Sequence, residues 1–97
     1  GENELSFKLY NNYPNPFNPK TRIEYSLKEK SKVKMYIYNM LGQKVAELVN
    51  TVKSRGFHEV DWNASSFASG VYIYRLEAHP VNGSQSFIKE NKMLLLK

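Results

Sequence analysis

Alternation with a period of two runs unbroken through Gly70-Val71-Tyr72-Ile73-Tyr74-Arg75-Leu76-Glu77-Ala78, and no other stretch restricts the fold as tightly. Tyr72, Tyr74, Leu76 and Ala78 fall on one face without a charge among them. Val71, Ile73, Arg75 and Glu77 fall on the other, which turns polar toward its end. β-Branched and aromatic residues suit a pleated, half-buried surface. The stretch predicts a central strand with its apolar face on the core and Gly70 punctuating its start.

Other segments repeat the pattern. Leu5, Phe7 and Leu9 alternate at the beginning; Ile23, Tyr25 and Leu27 alternate in 21–27; Val33, Met35 and Ile37 alternate in 33–39, with Lys34, Tyr36 and Tyr38 on the opposite face. Residues 28–31 form a charged turn and 40–43 a second turn, in which Gly42 is the expected positive-φ residue. Residues 44–49 are ambiguous, because Val45, Leu48, Val49 and Val52 have helical spacing; the run is short and close to Gly42, so a short strand is expected, followed by a polar loop over 50–56. In 57–62, His58, Val60 and Trp62 share a face, and Phe67 is expected to tuck in from the following loop.

Between the first two strands, Pro14, Pro16 and Pro19 fall within six residues, so this segment cannot take a full share in a ladder and is stiff and extended. Tyr13 and Phe17 are expected to pin it to the core edge. Asn15-Pro16-Phe17 also matches a eukaryotic trafficking tripeptide, for which a pinned Phe is the simpler account. Near the end, Val81-Asn82-Gly83 fits a three-residue hairpin loop. That loop sets Leu76 opposite Ile88 and requires a bulge near Glu90-Asn91 to bring Met93 opposite Tyr72 and Leu95 opposite Gly70. Leu96 and Lys97 should then overhang.

About seven short strands with turns between them give an all-β fold, an immunoglobulin/fibronectin-like β-sandwich of about seven antiparallel strands. Tyr72 follows Gly70 by two, which resembles the tyrosine corner of such sandwiches; an ordinary core Tyr is the competing reading. The 97 residues suit one domain, with 1–4 as a linker edge and 5–97 as the domain. With no Cys, burial and sheet pairing must hold it, and the compartment is not fixed by that absence. A formal charge of +5 permits nucleic acid, anionic glycans or anionic lipid without identifying one. No apolar run approaches the ~20 residues of a membrane span.

Catalytic signals are sparse. His58 and Asp61, three apart on a strand, face opposite ways, and no Cys nucleophile or nucleophile elbow is present. No residue set has metal-ligand spacing, and Asp61 with Asn63 is a thin set for calcium. No metal, no cofactor and no catalytic residue is expected. Lys28, Lys30, Lys32 and Lys34 read first as a solvated edge that deters aggregation. The alternative joins Arg22 to a ligand face of Lys34, Tyr36 and Tyr38, where aromatics beside Lys could stack on sugars or bases. Asn63-Ala64-Ser65 and Asn82-Gly83-Ser84 match glycosylation sequons by pattern.

Three separated segments coincide with one family. Asn12-Tyr13-Pro14-Asn15-Pro16-Phe17-Asn18-Pro19 with Thr21, Ile23 and Tyr25 resembles its opening signature. The stretch 33–38, Leu41-Gly42-Gln43-Lys44-Val45 and Leu48-Val49 resemble its middle; 68–76 and Lys92-Met93-Leu94-Leu95-Leu96-Lys97 resemble its close. This is the type A C-terminal sorting domain of the type IX (Por) secretion system. The chain departs from it at 79–84, where the hairpin looks longer than usual. The resemblance implies a non-catalytic domain that directs a larger cargo across the outer membrane, through the periplasm, to release or surface attachment. Its implied partners are the outer-membrane translocon, a sortase-like peptidase and an upstream cargo domain in the same polypeptide, with no nucleic acid. The tail Lys92, Met93, Leu94, Leu95, Leu96 and Lys97 is the implied sorting signal, with Met93 and Leu95 inward and Leu94, Leu96 and Lys97 outward. Capture by strand addition would suit it, and isolated domains could pair through the same strand. The rival readings are an appended glycan-binding or adhesion module using Lys34, Tyr36 and Tyr38, and a structural subunit like the immunoglobulin-like part of a flagellar hook-capping protein.

Overall fold

The alternating segments become strands, and the apolar half of each becomes core. A computed structural model describes residues 4–97; of the expected linker edge, residues 1–3 lie outside the described residues. The strands are β1 (Lys8–Leu9), β2 (Lys20–Leu27), β3 (Ser31–Tyr38), β4 (Lys44–Lys53), β5 (Gly56–Asn63), β6 (Gly70–Pro80) and β7 (Phe87–Leu95). They form two antiparallel sheets, β1-β2-β5 and β4-β3-β6-β7, so the fold is an all-β sandwich. Ile23, Tyr25 and Leu27 from one sheet meet Val33, Met35, Ile37, Tyr72, Tyr74 and Leu76 from the other, all buried. Burial pushes the Tyr25 phenol up to about 12, so the ring stays neutral in the core at any ordinary pH.

The ambiguous 44–49 stretch opens a ten-residue strand that continues to Lys53, replacing most of the polar loop expected over 50–56. Its helical spacing has a β explanation. Against β3 the register shifts between Met35 and Tyr36 and again between Ile37 and Tyr38, so Leu48 and Val45 are the extra residues of two bulges. Each bulge resets the alternation, and two bulges three residues apart imitate a helical period.

The β6–β7 ladder corrects another expectation. Tyr72 does face Met93 and Gly70 does face Leu95, but the ladder is uninterrupted from Ala78↔Phe87 through Tyr74↔Asn91, with Leu76 opposite Lys89. There is no bulge near Glu90-Asn91. The residue it was meant to absorb lies in the connection, which spans 81–86 instead of three residues. Gly83 is left-handed as expected, at φ 84°.

Tyr72 Oη donates to the carbonyl of Ala68 at 2.7 Å, the back-bond of a tyrosine corner, and Gly70 supplies the φ of 152° between them. Trp62 sits beneath, with Phe17, Phe67 and Tyr72 at ring distances of 5.8, 5.4 and 5.4 Å. This aromatic cluster closes one pole of the sandwich. Phe7 stacked on Phe87 at 5.7 Å lies toward the other.

Candidate functional site

The proline-rich segment runs past the end of β1 toward the aromatic pole. It joins no continuous ladder, as three prolines require, and instead makes single bridges, Tyr13↔Arg22 and Phe17↔Leu95. Phe17 is pinned at 2% exposure, which also removes it from any reader of the Asn15-Pro16-Phe17 tripeptide. Tyr13 is not pinned: it is 79% exposed. Its backbone exchanges hydrogen bonds with Arg22, and cross-strand partners share a face, so Tyr13 points outward with that arginine.

Asn12, which the sequence reading did not single out, takes the inward place. Its Nδ2 donates to Thr21 Oγ1 and to the Pro14 carbonyl, while its backbone N–H donates to Tyr74 Oη at 2.9 Å. Tyr74 Oη in turn donates to the Tyr10 carbonyl and accepts from Asn91 Nδ2. One phenol on the central strand thus ties the segment down at two points. A buried apolar face that contains a Tyr instead of a Phe was the available signal, since a buried hydroxyl needs partners.

The tail is held by the same segment. Phe17 N–H donates to the Leu94 carbonyl, Leu96 N–H donates to the Phe17 carbonyl, and Leu94 N–H donates to Asn15 Oδ1, each at 3.0 Å. Lys97 N–H donates to Ser69 Oγ at 2.9 Å, and its Nζ donates to the Ser65 carbonyl. Leu96 and Lys97 do overhang the last β6 pair, Gly70↔Leu95, but they are not loose: a parallel bridge and two serines fix them. Met93 and Leu95 are buried, Leu94 is half-buried opposite Val71, and Lys92, Leu96 and Lys97 are exposed. Asn15, Val71, Lys92, Met93 and Leu94 line a shallow depression of about 180 Å³ beside this edge. The Phe17 bridge covers the outer edge of β7 at Leu94–Leu96. Antiparallel alternation leaves the outward backbone groups of Ile88, Glu90 and Lys92 as its open part.

Lys34, Tyr36 and Tyr38 do share the outer face of β3, and the two rings meet edge to face at 6.4 Å. Lys44 Nζ lies 4.3 Å from the Tyr36 ring centre and occupies one face of it. Arg22 is not part of this surface. β2 belongs to the other sheet, and Arg22 pairs there with Asp61 at 3.0 Å and Glu59 at 3.4 Å. His58 and Asp61 face opposite ways, His58 against the Tyr25 ring and Asp61 on Arg22. Both sequon asparagines are committed to local turns, Asn63 Oδ1 to Ser65 N–H and Asn82 Oδ1 to Ser84 N–H.

On β6 and β7 the same outer face carries an ionic cluster. Arg75 pairs with Glu77 at 3.1 Å and Glu90 at 3.3 Å, and His79 Nε2 lies 3.3 Å from Glu77. Burial alone would push the Glu77 carboxyl up, but the His79 hydrogen bond and the charge and hydrogen bond of Arg75 outweigh it and hold Glu77 below its ordinary value.

The fold is shared with proteins of low sequence similarity. CopC from Methylosinus trichosporium OB3b superposes with a TM-score of 0.59 at 12% identity, covering 93% of both chains. The soluble domain of PmoD from Methylocystis sp. ATCC 49242 gives 0.59 at 12%, covering 95% of this chain and 90% of that one. PorZ, a surface component of the type IX secretion system of Porphyromonas gingivalis, gives 0.54 at 22%; it matches 95% of this chain but only 12% of its own length. No curated protein sequence matches the chain. Residues 11–90 match the family described as secretion system C-terminal sorting domain, a stretch that takes in the proline-rich segment, β2 to β6 and part of β7, and stops short of Lys92. With most of its length inside that match, the chain belongs to the Por-type secretion-system C-terminal sorting domains.

Proposed function

We propose that residues 5–97 are a non-catalytic sorting domain that directs a larger cargo across the outer membrane by the type IX system, and that 92–97 is the element its machinery reads. Met93 and Leu95 serve as anchors in the core, while Leu94, Leu96 and Lys97 are the side chains offered for recognition. The observation that carries this reading is the clamp on the tail. Leu96 and Lys97 lie past the last β6–β7 pair, where a backbone without partners would fray, yet here Asn15, Phe17 and Ser69 hold the backbone of Leu94, Leu96 and Lys97. An ordered tail loses less conformational freedom on capture than a frayed one.

The bridge to Phe17 changes how capture would work. Strand addition at Leu94–Leu96 would have to displace it, so recognition there runs through side chains. Strand pairing, including pairing of isolated domains, is left to the edge at Ile88, Glu90 and Lys92. The cargo reaches the surface or medium after passing the periplasm, and a sortase-like peptidase removes the domain. The glycan-module reading is disfavoured by Lys44, which already covers one face of Tyr36.

A secretion assay tests the reading. The domain is fused to an exported reporter in a host with a type IX system, and Leu94, Leu96 and Lys97 are together changed to Ser, leaving buried Met93 and Leu95 in place. The parent fusion should appear outside the cell and the triple variant should fall at least about tenfold. A triple variant that folds and is secreted like its parent removes the tail from the signal. A parent that stays in the periplasm removes the sorting role.

A further inference from the structure

The segments that identify the family are scattered in sequence but meet at one pole of the sandwich. Tyr38, the last residue of β3, pairs with Ile73 and Lys44, so the 39–43 turn runs out level with the start of β6 at Gly70. Gly70 pairs with Leu95, and Phe17 bridges Leu95 from the other side. Lys20 pairs with Asn63, and Ala64 N–H donates to the Pro19 carbonyl. The turn and the tail therefore leave the same end of the sheet, with only β6 between their strands. Two strand spacings place them about 10 Å apart.

The 39–43 turn is built to hold its shape. Asn39 Oδ1 accepts from Leu41 N–H at 2.9 Å and Gln43 N–H at 3.0 Å, and Asn39 Nδ2 donates to Gln43 Oε1 at 2.7 Å. Backbone bonds Asn39 N–H to Gln43 O and Gly42 N–H to Asn39 O complete it, with Gly42 at φ 80°. None of these bonds uses the side chains of residues 40 and 41. Those side chains are nevertheless Met and Leu, 61% and 84% exposed, and Leu96 at the same pole is 51% exposed. An isolated exposed apolar residue needs no explanation. Two adjacent ones at the tip of a turn fixed by five hydrogen bonds, near a third, are what a binding anchor requires.

Charge says what covers them. The segments that form this pole, 13–20, 39–46, 62–72 and 92–97, contain Lys20, Lys44, Lys92 and Lys97 and no Asp or Glu. At the other pole, 27–32 and 53–56 mix Glu29 with their lysines and arginine. An apolar tip on a pole whose own segments carry lysines and no carboxylate complements an apolar cleft rimmed by carboxylates. Fixed turn geometry matters for a shaped protein cleft and gives no advantage at a fluid membrane.

We infer that Met40 and Leu41, with Leu96 beside them, are anchors that dock the cationic pole into an acid-rimmed apolar cleft on a protein of the export machinery. The inference rests on the sorting reading and extends the recognised surface from the tail to a turn about fifty residues upstream in sequence.

The reporter fusion tests it with Met40→Ser/Leu41→Ser, with Lys20→Glu, and with Val81→Ser as a control exposed apolar site on the opposite pole. All four positions are exposed, so melting temperatures should match the parent closely. The double variant should reduce the reporter outside the cell at least about tenfold, Lys20→Glu several-fold, and Val81→Ser not at all. A double variant exported like the parent overturns the inference and leaves the sorting reading standing. Unchanged export of Lys20→Glu overturns the acidic rim. A parent that is itself not exported removes the reading on which the inference rests. Sedimentation with phosphatidylglycerol vesicles supplies the remaining arm. If the parent domain pellets and the double variant does not, the occupant is a membrane and the protein cleft is overturned; if neither pellets, the protein cleft is supported.

Discussion

The two poles of the sandwich are tied in different ways. At the signature pole, hydrogen bonds cross between segments remote in sequence: 15–17 with 94–96, 64 with 19, and Lys97 with Ser69. An aromatic cluster around Trp62 lies beneath them. At the hairpin pole, 81–86 is exposed throughout, and its bonds are mostly local, Asn82 to Ser84 and Gly83 to Pro80, with Val81 N–H to the Lys30 carbonyl reaching across. The difference teaches where register is decided. The β6–β7 alignment is fixed by Gly70 against Leu95 and by Phe17 beyond, so the hairpin loop takes whatever length remains. A three-residue loop would set the register one residue out and demand a bulge, whereas the longer connection needs none.

The contrast can be broken most sharply at Phe17. Phe17→Ala removes a ring at 2% exposure that packs on Trp62, and should cost about 3–5 kcal/mol. Against a total stability of about 5–15 kcal/mol, this should be plain in urea unfolding. A loss near that of a surface change would mean the poles are alike.

Tyr74→Phe comes next. It orphans the buried Asn12 N–H and the Tyr10 carbonyl, and should cost about 1–3 kcal/mol. Tyr72→Phe, losing one bond to Ala68, should cost about 0.5–1.5 kcal/mol. A reversed order would place the corner, not the Tyr74 tie, at the centre of the pole.

A smaller effect belongs to Glu77, toward the hairpin end of β6. Its folded-state pKa is lowered, so its contribution is present above the unfolded carboxylate range and is lost as pH falls through the folded value. Denaturant titrations at pH 7 and pH 3 should show the parent losing more stability on acidification than Glu77→Gln. Equal losses would mean that the Arg75–Glu77–His79 cluster is fully screened.

The smallest effect is expected from two glycines inserted between Asn82 and Gly83, at less than about 0.6 kcal/mol, because closure entropy grows slowly with loop length. A larger loss in thermal unfolding would show that the hairpin pole also sets register.

The strands were legible in the sequence wherever one face alone was buried, as in 21–27, 33–38 and 70–78, since burial imposes the period of two. They were less so in β4, where two bulges rewrote the period, and at Tyr13, whose outward direction depends on pairing with Arg22 across a gap in the chain. The inward halves of the tail could be read because Met93 and Leu95 match the core face of β6. The clamp on its outward half could not: Asn15 and Ser69 are polar residues that any loop might carry, and only the tertiary fold brings them to Leu94 and Lys97. Arg22 was assigned to the wrong surface because strand order between sheets leaves no local mark in the sequence.

The bridge from Phe17 to Leu95 also has a meaning in time. During synthesis Tyr13 can pair with Arg22 at once, whereas Phe17 is made early and Leu95 late, so Phe17 must wait for nearly the whole domain before its backbone finds a partner. A polypeptide cut short before Met93 could still pair β2 with β5 and β3 with β4, but it would leave Phe17 unbridged and the pole unassembled. The surface at that pole is therefore displayed only by a chain whose translation has run through the domain, which makes it a certificate of completeness as well as a place to bind.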